Sequence, residues 1–269
     1  MKKFLLAIFP LFFISFTAHT YSPNFKWLGS DNTFKIDPLT DGILFGTGVA
    51  LNGTEFLLDN ILDLNDNTFS SIPSKDTINS FDRYFMNDYS KTIDISSDVL
   101  VGFAFASPLL FSATNLKELP TITIMYLETL LLAKGTVDNL KFFASRTRPY
   151  MYYENYPQEF IEDGDWCKSW PSGHTTYTFA TAAFLTYTFS KYNPDSNWKY
   201  VISGTSYAIA ISVGAMRIAS GCHFATDVLT GAIIGTAWGF LVPYLHTLKV
   251  NNSSSLSITP TGFYLTKRL

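Results

Sequence analysis

Beyond Asp98 the chain runs in long tracts without a formal charge, at residues 99–116, 200–216 and 228–248, with a fourth at 174–190 broken only by its leading His174. Tracts of this length exceed what a strand uses, so they predict helices and an all-α architecture. A further helix is expected at 119–143, interrupted by Glu128, Lys134 and Asp138, which its neighbours must shield. Together these segments predict a helical bundle of about five or six core helices. Nothing repeats at a fixed period, which excludes a solenoid.

Two kinds of bundle bury such helices: a soluble one and one set in a membrane. Hydrophobic residues make up 47% of the 269 residues and charged residues 15%, against a usual charged share of about 25%. The mean hydropathy is only +0.13 and most tracts are near the lower length limit for crossing a bilayer. The charges between helices favour the membrane. Residues 150–170 carry Glu154, Glu159, Glu162, Asp163 and Asp165 against the single Lys168, whereas the opposite end receives Lys117, Lys191, Lys199 and Lys249. Cytoplasmic loops favour Lys and Arg, so the acidic segment is expected outside.

The flanks differ from the tracts. Lys2 and Lys3 precede an apolar run at 4–16 and then Thr17, Ala18, His19 and Thr20, which reads as an export signal over 1–20 cut ahead of Tyr21, or as an uncleaved anchor. Residues 21–98 are polar and punctuated, and predict short helices and loops. The bundle is assigned to 99–249 and a tail to 250–269, where Leu256, Ile258, Phe263 and Leu265 alternate as in a short β-hairpin; disorder is the alternative. With a net charge of −3 there is no positive field to hold a nucleic-acid backbone.

Three motifs follow in order. Lys141 stands six residues before the pair Arg148 and Pro149; Pro171, Ser172, Gly173 and His174 are contiguous; Arg217, His223 and Asp227 are spaced by six and four. On these residues the chain resembles the type 2 phosphatidic acid phosphatase family, which also holds bacterial class A acid phosphatases and vanadium haloperoxidases. The motifs span Lys141 to Asp227, and the flanking helices extend the likeness over roughly the last two thirds of the chain. Met216 departs from the pattern, standing where the family generally has Ser.

The resemblance implies a phosphatase that works through a phosphohistidine and without a metal. The residue chemistry agrees. A phosphate ester spreads negative charge over its equatorial oxygens in the transition state, so fixed cations are needed, and Lys141, Arg148 and Arg217 supply them. Ser172 and Gly173 precede a helical tract, where free N–H groups favour an anion. His223 and Asp227, four apart on a helix, share a face, so the carboxylate can hold the imidazole in one tautomer while its other nitrogen attacks phosphorus. His174 is expected to protonate the leaving oxygen.

Other polar residues are read more plainly. Arg146 is taken as a surface residue. The acids of 150–170 match no calcium loop, and the histidines form no zinc pattern, so neither a metal nor another cofactor is expected. Cys167 and Cys222 lie close in sequence to His174 and His223, so in an exported protein they are expected either to form a disulfide or to remain two thiols.

The expected substrate is a phosphorylated lipid or a small phosphomonoester. Phosphatidic acid, phosphatidylglycerol phosphate, a polyprenyl pyrophosphate and a lipid A phosphate all fit at the outer face of a bacterial inner membrane, facing the periplasm. Rival readings are a soluble periplasmic acid phosphatase of broad specificity, a haloperoxidase with vanadate as cofactor, and an inactive phosphate-binding membrane protein. No residue pattern speaks to oligomeric state.

Overall fold

A computed structural model describes residues 33–58, 71–112, 118–154, 156–247, 254–259 and 262–267. The expected export signal over 1–20, and Lys117 and Lys249 of the charge asymmetry, lie outside these residues.

The described chain is helical except for a C-terminal hairpin. In order come α1 (Pro38–Phe56), α2 (Ser80–Phe85), α3 (Lys91–Ser112), α4 (Leu119–Ala144), α5 (Glu159–Glu162), α6 (Gly173–Tyr192), α7 (Trp198–Ala219) and α8 (Ala225–Leu245). Strands β1 (Ser254–Thr259) and β2 (Gly262–Lys267) pair antiparallel, with Leu256 opposite Leu265 and Ile258 opposite Phe263.

Local chemistry sets the helix ends. Asp37 caps α1 by accepting from the Thr40 N–H at 2.9 Å, with Pro38 in the first turn. Helix α4 stops where Ser145 turns left-handed at φ 38°. The N–H of Phe224 donates to the Asp227 carboxylate at 2.9 Å, which starts α8 three residues before its uncharged tract. Helix α3 likewise begins at Lys91, eight residues before the tract at 99. These polar extensions carry Asp94, Asp98 and Asp227 on regular helix.

Helix α6 is the centre of the bundle, packed against α8, α7, α3 and α4. Its contact with α8 is close because α8 presents Gly231, Gly235 and Gly239 to the α6 backbone. A Cβ on these residues would stand 2.6 Å from the Ser172 carbonyl oxygen, 2.1 Å from that of Thr176 and 2.2 Å from that of Ala180. The core gathers Ile122, Met125 and Leu132 of α4 with Phe184 of α6 and Val242 of α8.

Helix α1 departs from the expectation of short helices and loops before residue 99. It has 19 residues and packs along α4, where Gly48 meets Leu131 and Gly135 meets Leu51. Asn52 donates to the Leu131 carbonyl at 2.9 Å and Asn139 to that of Leu51 at 2.7 Å. Two half-buried amide hydrogen bonds thus fasten a segment whose sequence is too punctuated to announce a long helix.

Helices α7 and α8 are long and apolar enough to cross a membrane. Val201 and Ile211 on α7, and Leu229, Ile233 and Phe240 on α8, are exposed. Apolar side chains that share an unpacked helix face suit a lipid surround better than water.

Candidate active site

Helix α6 opens on the second motif beside the third, which runs from the end of α7 through the turn into α8, and the end of α4 brings the first. The N–H of Ser172, just before α6, donates to the Asp227 carbonyl at 3.1 Å. Lys141, in the last turn of α4, places its Nζ 3.7 Å from the position a Cβ on Gly173 would take. Gly173 and His174 open α6, so the first-turn N–H groups have no acceptor within the helix. A cavity of about 160 Å³ lies against Lys141, lined also by Glu55, Asp138, Phe142 and Lys168.

His223 is 1% exposed and held from both sides. Its Nδ1 lies 2.7 Å from the Ser169 carbonyl oxygen, which can only accept, so Nδ1 carries the proton. Nε2 is then a lone pair, and Arg148 Nη1 stands 3.2 Å from it. Burial, then the charges of Arg148, Arg217 and Lys141, push the pKa of His223 well below its ordinary value, so the ring is neutral near pH 7. His174 acts on His223 in the same direction. The second imidazole and the three cations therefore lie within electrostatic reach of one nitrogen.

Both arginines and the second imidazole have a carboxylate in attendance. Arg148 donates to Asp165 Oδ1 at 2.7 Å and to the carbonyl of Cys222 at 3.0 Å. Arg217 donates to Asp94 through a very short contact and to Ser97 Oγ at 3.0 Å, while its Nε is buried with no hydrogen-bond partner among the described residues. His174 Nε2 lies 2.7 Å from Asp98 Oδ1. Asp227 is wholly buried; it accepts from Ser169 Oγ at 2.5 Å, from the Phe224 N–H and from Arg146.

Several expectations need correction here. Asp227 was expected to hold the His223 ring, yet its carboxylate is 3.5 Å from Nδ1 and the shorter bond goes to the backbone of Ser169. Ser172, assigned to phosphate, gives its N–H to the Asp227 carbonyl, and its hydroxyl lies 2.9 Å from that of Thr175. Cys167 and Cys222 are both buried and form no disulfide with each other. The Cys222 thiol points to Asp94 and the Cys167 thiol to the Gly164 carbonyl, while Arg148 ties the two segments together instead. Burial also pushes the Cys222 thiol up in pKa, which disfavours its thiolate.

Arg146 is no surface residue. Its guanidinium joins Asp82 at 2.8 Å to Asp227 and Thr226, and stacks 4.2 Å over the Phe224 ring. Asp82, Asp94, Asp98, Asp165 and Ser169 were also missed, since isolated acids in polar sequence read as solvated. One signal was available: Asp94, Ser97 and Asp98 are spaced three and four apart, and therefore share one helix face.

Residues 122–250 match the model of the PAP2 superfamily. That stretch of the chain belongs to this superfamily. The chain is 33% identical over 132 residues to a lipid A 1-phosphatase of Porphyromonas gingivalis, covering 49% of this chain and 24% of the relative. It is 30% identical over 92 residues to a probable diacylglycerol pyrophosphate phosphatase 1 of Schizosaccharomyces pombe, covering 32% of each. The chain thus spans a quarter to a third of the length of these relatives. Among solved structures, that of LpxE from Aquifex aeolicus aligns with a TM-score of 0.43 at 20% identity, over 60% of this chain and 91% of that one. The PAP2 stretch runs from the first turn of α4 to beyond α8, and so contains all three motifs.

Proposed function

We propose that this protein is a phosphatase acting on a phosphorylated membrane lipid, with His223 as nucleophile and His174 as general acid. The observation that carries the reading is the fixed tautomer of His223, whose buried Nε2 lone pair faces the Arg148 guanidinium. A lone pair aimed into a cluster of cations is arranged to attack an anionic electrophile. The orphaned Nε of Arg217 adds a donor in want of an acceptor, which a phosphate oxygen supplies.

In the first step Nε2 of His223 bonds to phosphorus as the bond to the lipid oxygen breaks, and His174 gives its proton to that oxygen. Lys141, Arg148 and Arg217 hold the equatorial oxygens through the change. In the second step water attacks the phosphohistidine, its proton passes to His174, and the P–N bond breaks to release phosphate. Charge compensation is assigned to side chains and no cofactor enters either step. The superfamily and the lipid phosphatases among its relatives support a lipid substrate, and the exposed apolar faces of α7 and α8 support a membrane setting. The site is assigned to the outer face of a bacterial inner membrane, in keeping with the acidic segment at 150–170.

A phosphate-release assay on the detergent-purified protein tests this, with phosphatidic acid, lipid A and a soluble aryl phosphate compared. The lipid phosphates are expected to turn over fastest and His223→Ala to abolish release. Unchanged release by that variant would overturn the mechanism.

A further inference from the structure

A second constellation of titratable groups lies at the other end of the bundle. Asp41 of α1, Glu128 of α4 and His246, which follows α8, bring one ligand atom each to within 4.8 Å of one another. Glu128 and Lys141 are thirteen residues apart on α4, which separates this cluster from the phosphate site by about 20 Å. The phosphatase reading makes no use of it.

Asp41 and His246 are each oriented by a bond from the outer atom that turns the other atom inward. The Asp37 N–H donates to Asp41 Oδ2 at 2.6 Å, which turns Oδ1 inward. Nδ1 of His246 lies 2.9 Å from the Val242 carbonyl oxygen, so Nδ1 bears the proton and Nε2 turns to the two carboxylates, 3.3 Å from Asp41 and 3.4 Å from Glu128. Glu128 is 1% exposed, and neither of its oxygens has a hydrogen-bond partner among the described residues.

Such an array demands a positive charge. A neutral imidazole would point its lone pair at the buried Glu128 and the partly exposed Asp41, and an unpaired buried carboxylate costs several kcal/mol. A proton on Nε2 lies along one direction and serves one oxygen well, yet both separations exceed the roughly 2.8 Å of a charge-assisted hydrogen bond. They match instead two ligands of one metal ion: bonds of about 2.1 Å in tetrahedral array set the ligands about 3.4 Å apart. A histidine whose other nitrogen donates to a backbone carbonyl is how metal-bound imidazoles are usually held. We propose that Asp41, Glu128 and His246 bind a divalent cation, with Zn²⁺ the best match for two carboxylate oxygens and one imidazole nitrogen. The ion would staple α1 and the end of α8 to α4, and has no part in the phosphate chemistry.

The test uses the full chain in detergent, stripped with a chelator and then titrated with Zn²⁺ or, as a control, Mg²⁺. Wild-type protein is expected to retain about one equivalent of zinc by elemental analysis. Its melting temperature should rise by about 5 to 10 °C at a hundredfold excess over Kd, with no comparable rise in Mg²⁺. Glu128→Gln keeps the shape and removes a charge, so its metal-free form should melt no lower than metal-free wild type while the zinc-dependent rise disappears. His246→Gln should lose the rise as well. No zinc-dependent rise in the wild type, or an equal rise in Glu128→Gln, would overturn the proposal and leave the triad holding a proton. Both readouts are independent of phosphate release.

Discussion

The Nδ1–H of His223 donates to the Ser169 carbonyl at 2.7 Å, while the Asp227 carboxylate stands 3.5 Å from the same nitrogen and takes the Ser169 hydroxyl at 2.5 Å. The ring is therefore positioned by a loop backbone, and Asp227 positions that loop. Asp227→Asn should accordingly retain the His223 tautomer. We expect kcat to fall by about 10²-fold with KM little changed, against complete loss in His223→Ala. Steady-state kinetics on both variants check this, and equal losses would mean that the carboxylate acts on the ring directly.

Arg146 separates two wholly buried carboxylates, Asp82 and Asp227. Removing it leaves both anions facing each other across the start of α8. Arg146→Met should lower stability by about 3 kcal/mol, and Asp82→Asn in the same chain should recover part of that loss. Thermal or denaturant unfolding reads the cycle; additive effects would show that the two side chains do not act as a pair.

The pH response of His223 has a definite sign. Burial and the surrounding cations lower its folded-state pKa well below 6.5, so the folded ring stays neutral while the ring in the unfolded chain takes up a proton. Its contribution to stability is thus complete above pH 6.5 and is lost as the pH falls below that value. Imidazole ¹⁵N resonances of labelled protein should report a neutral, Nδ1-protonated His223 at pH 6, where an ordinary histidine is mostly charged. A midpoint at 6.5 or above would contradict the buried, cation-ringed setting.

Gly235 sets the spacing between α6, which carries His174, and α8, which begins two residues after His223. Its added Cβ would stand 2.1 Å from the Thr176 carbonyl oxygen, so Gly235→Ala must push α8 away from α6. A stability loss of about 1 to 3 kcal/mol is expected, together with a fall in kcat. Gly204→Ala on α7 meets nothing within 4 Å and should be neutral or slightly stabilising. Melting curves of the two variants make the comparison, and equal curves would remove the claim.

Helices α3, α4, α6, α7 and α8 were legible because long, nearly uncharged tracts leave a chain little choice, and the three motifs named the cations and imidazoles. What escaped was their company. Asp94, Asp98 and Asp82 lie far from their partners in sequence, and a carboxylate in a polar stretch gives no sign that a guanidinium will cover it. Arg146 was misread for the same reason: its two anions are 64 and 81 positions away. The length of α1 was hidden because Asn52 and Asn139 secure it through backbone carbonyls, and such bonds leave no pattern in residue type.

Helix α3 begins eight residues ahead of its apolar tract, and that extra stretch holds the anions for Arg217 and His174. The three motifs are therefore not a portable cassette. Transplanted without the turns that precede them, they would strand like charges in a closed space, and the graft would fail for want of counterions rather than of catalytic groups.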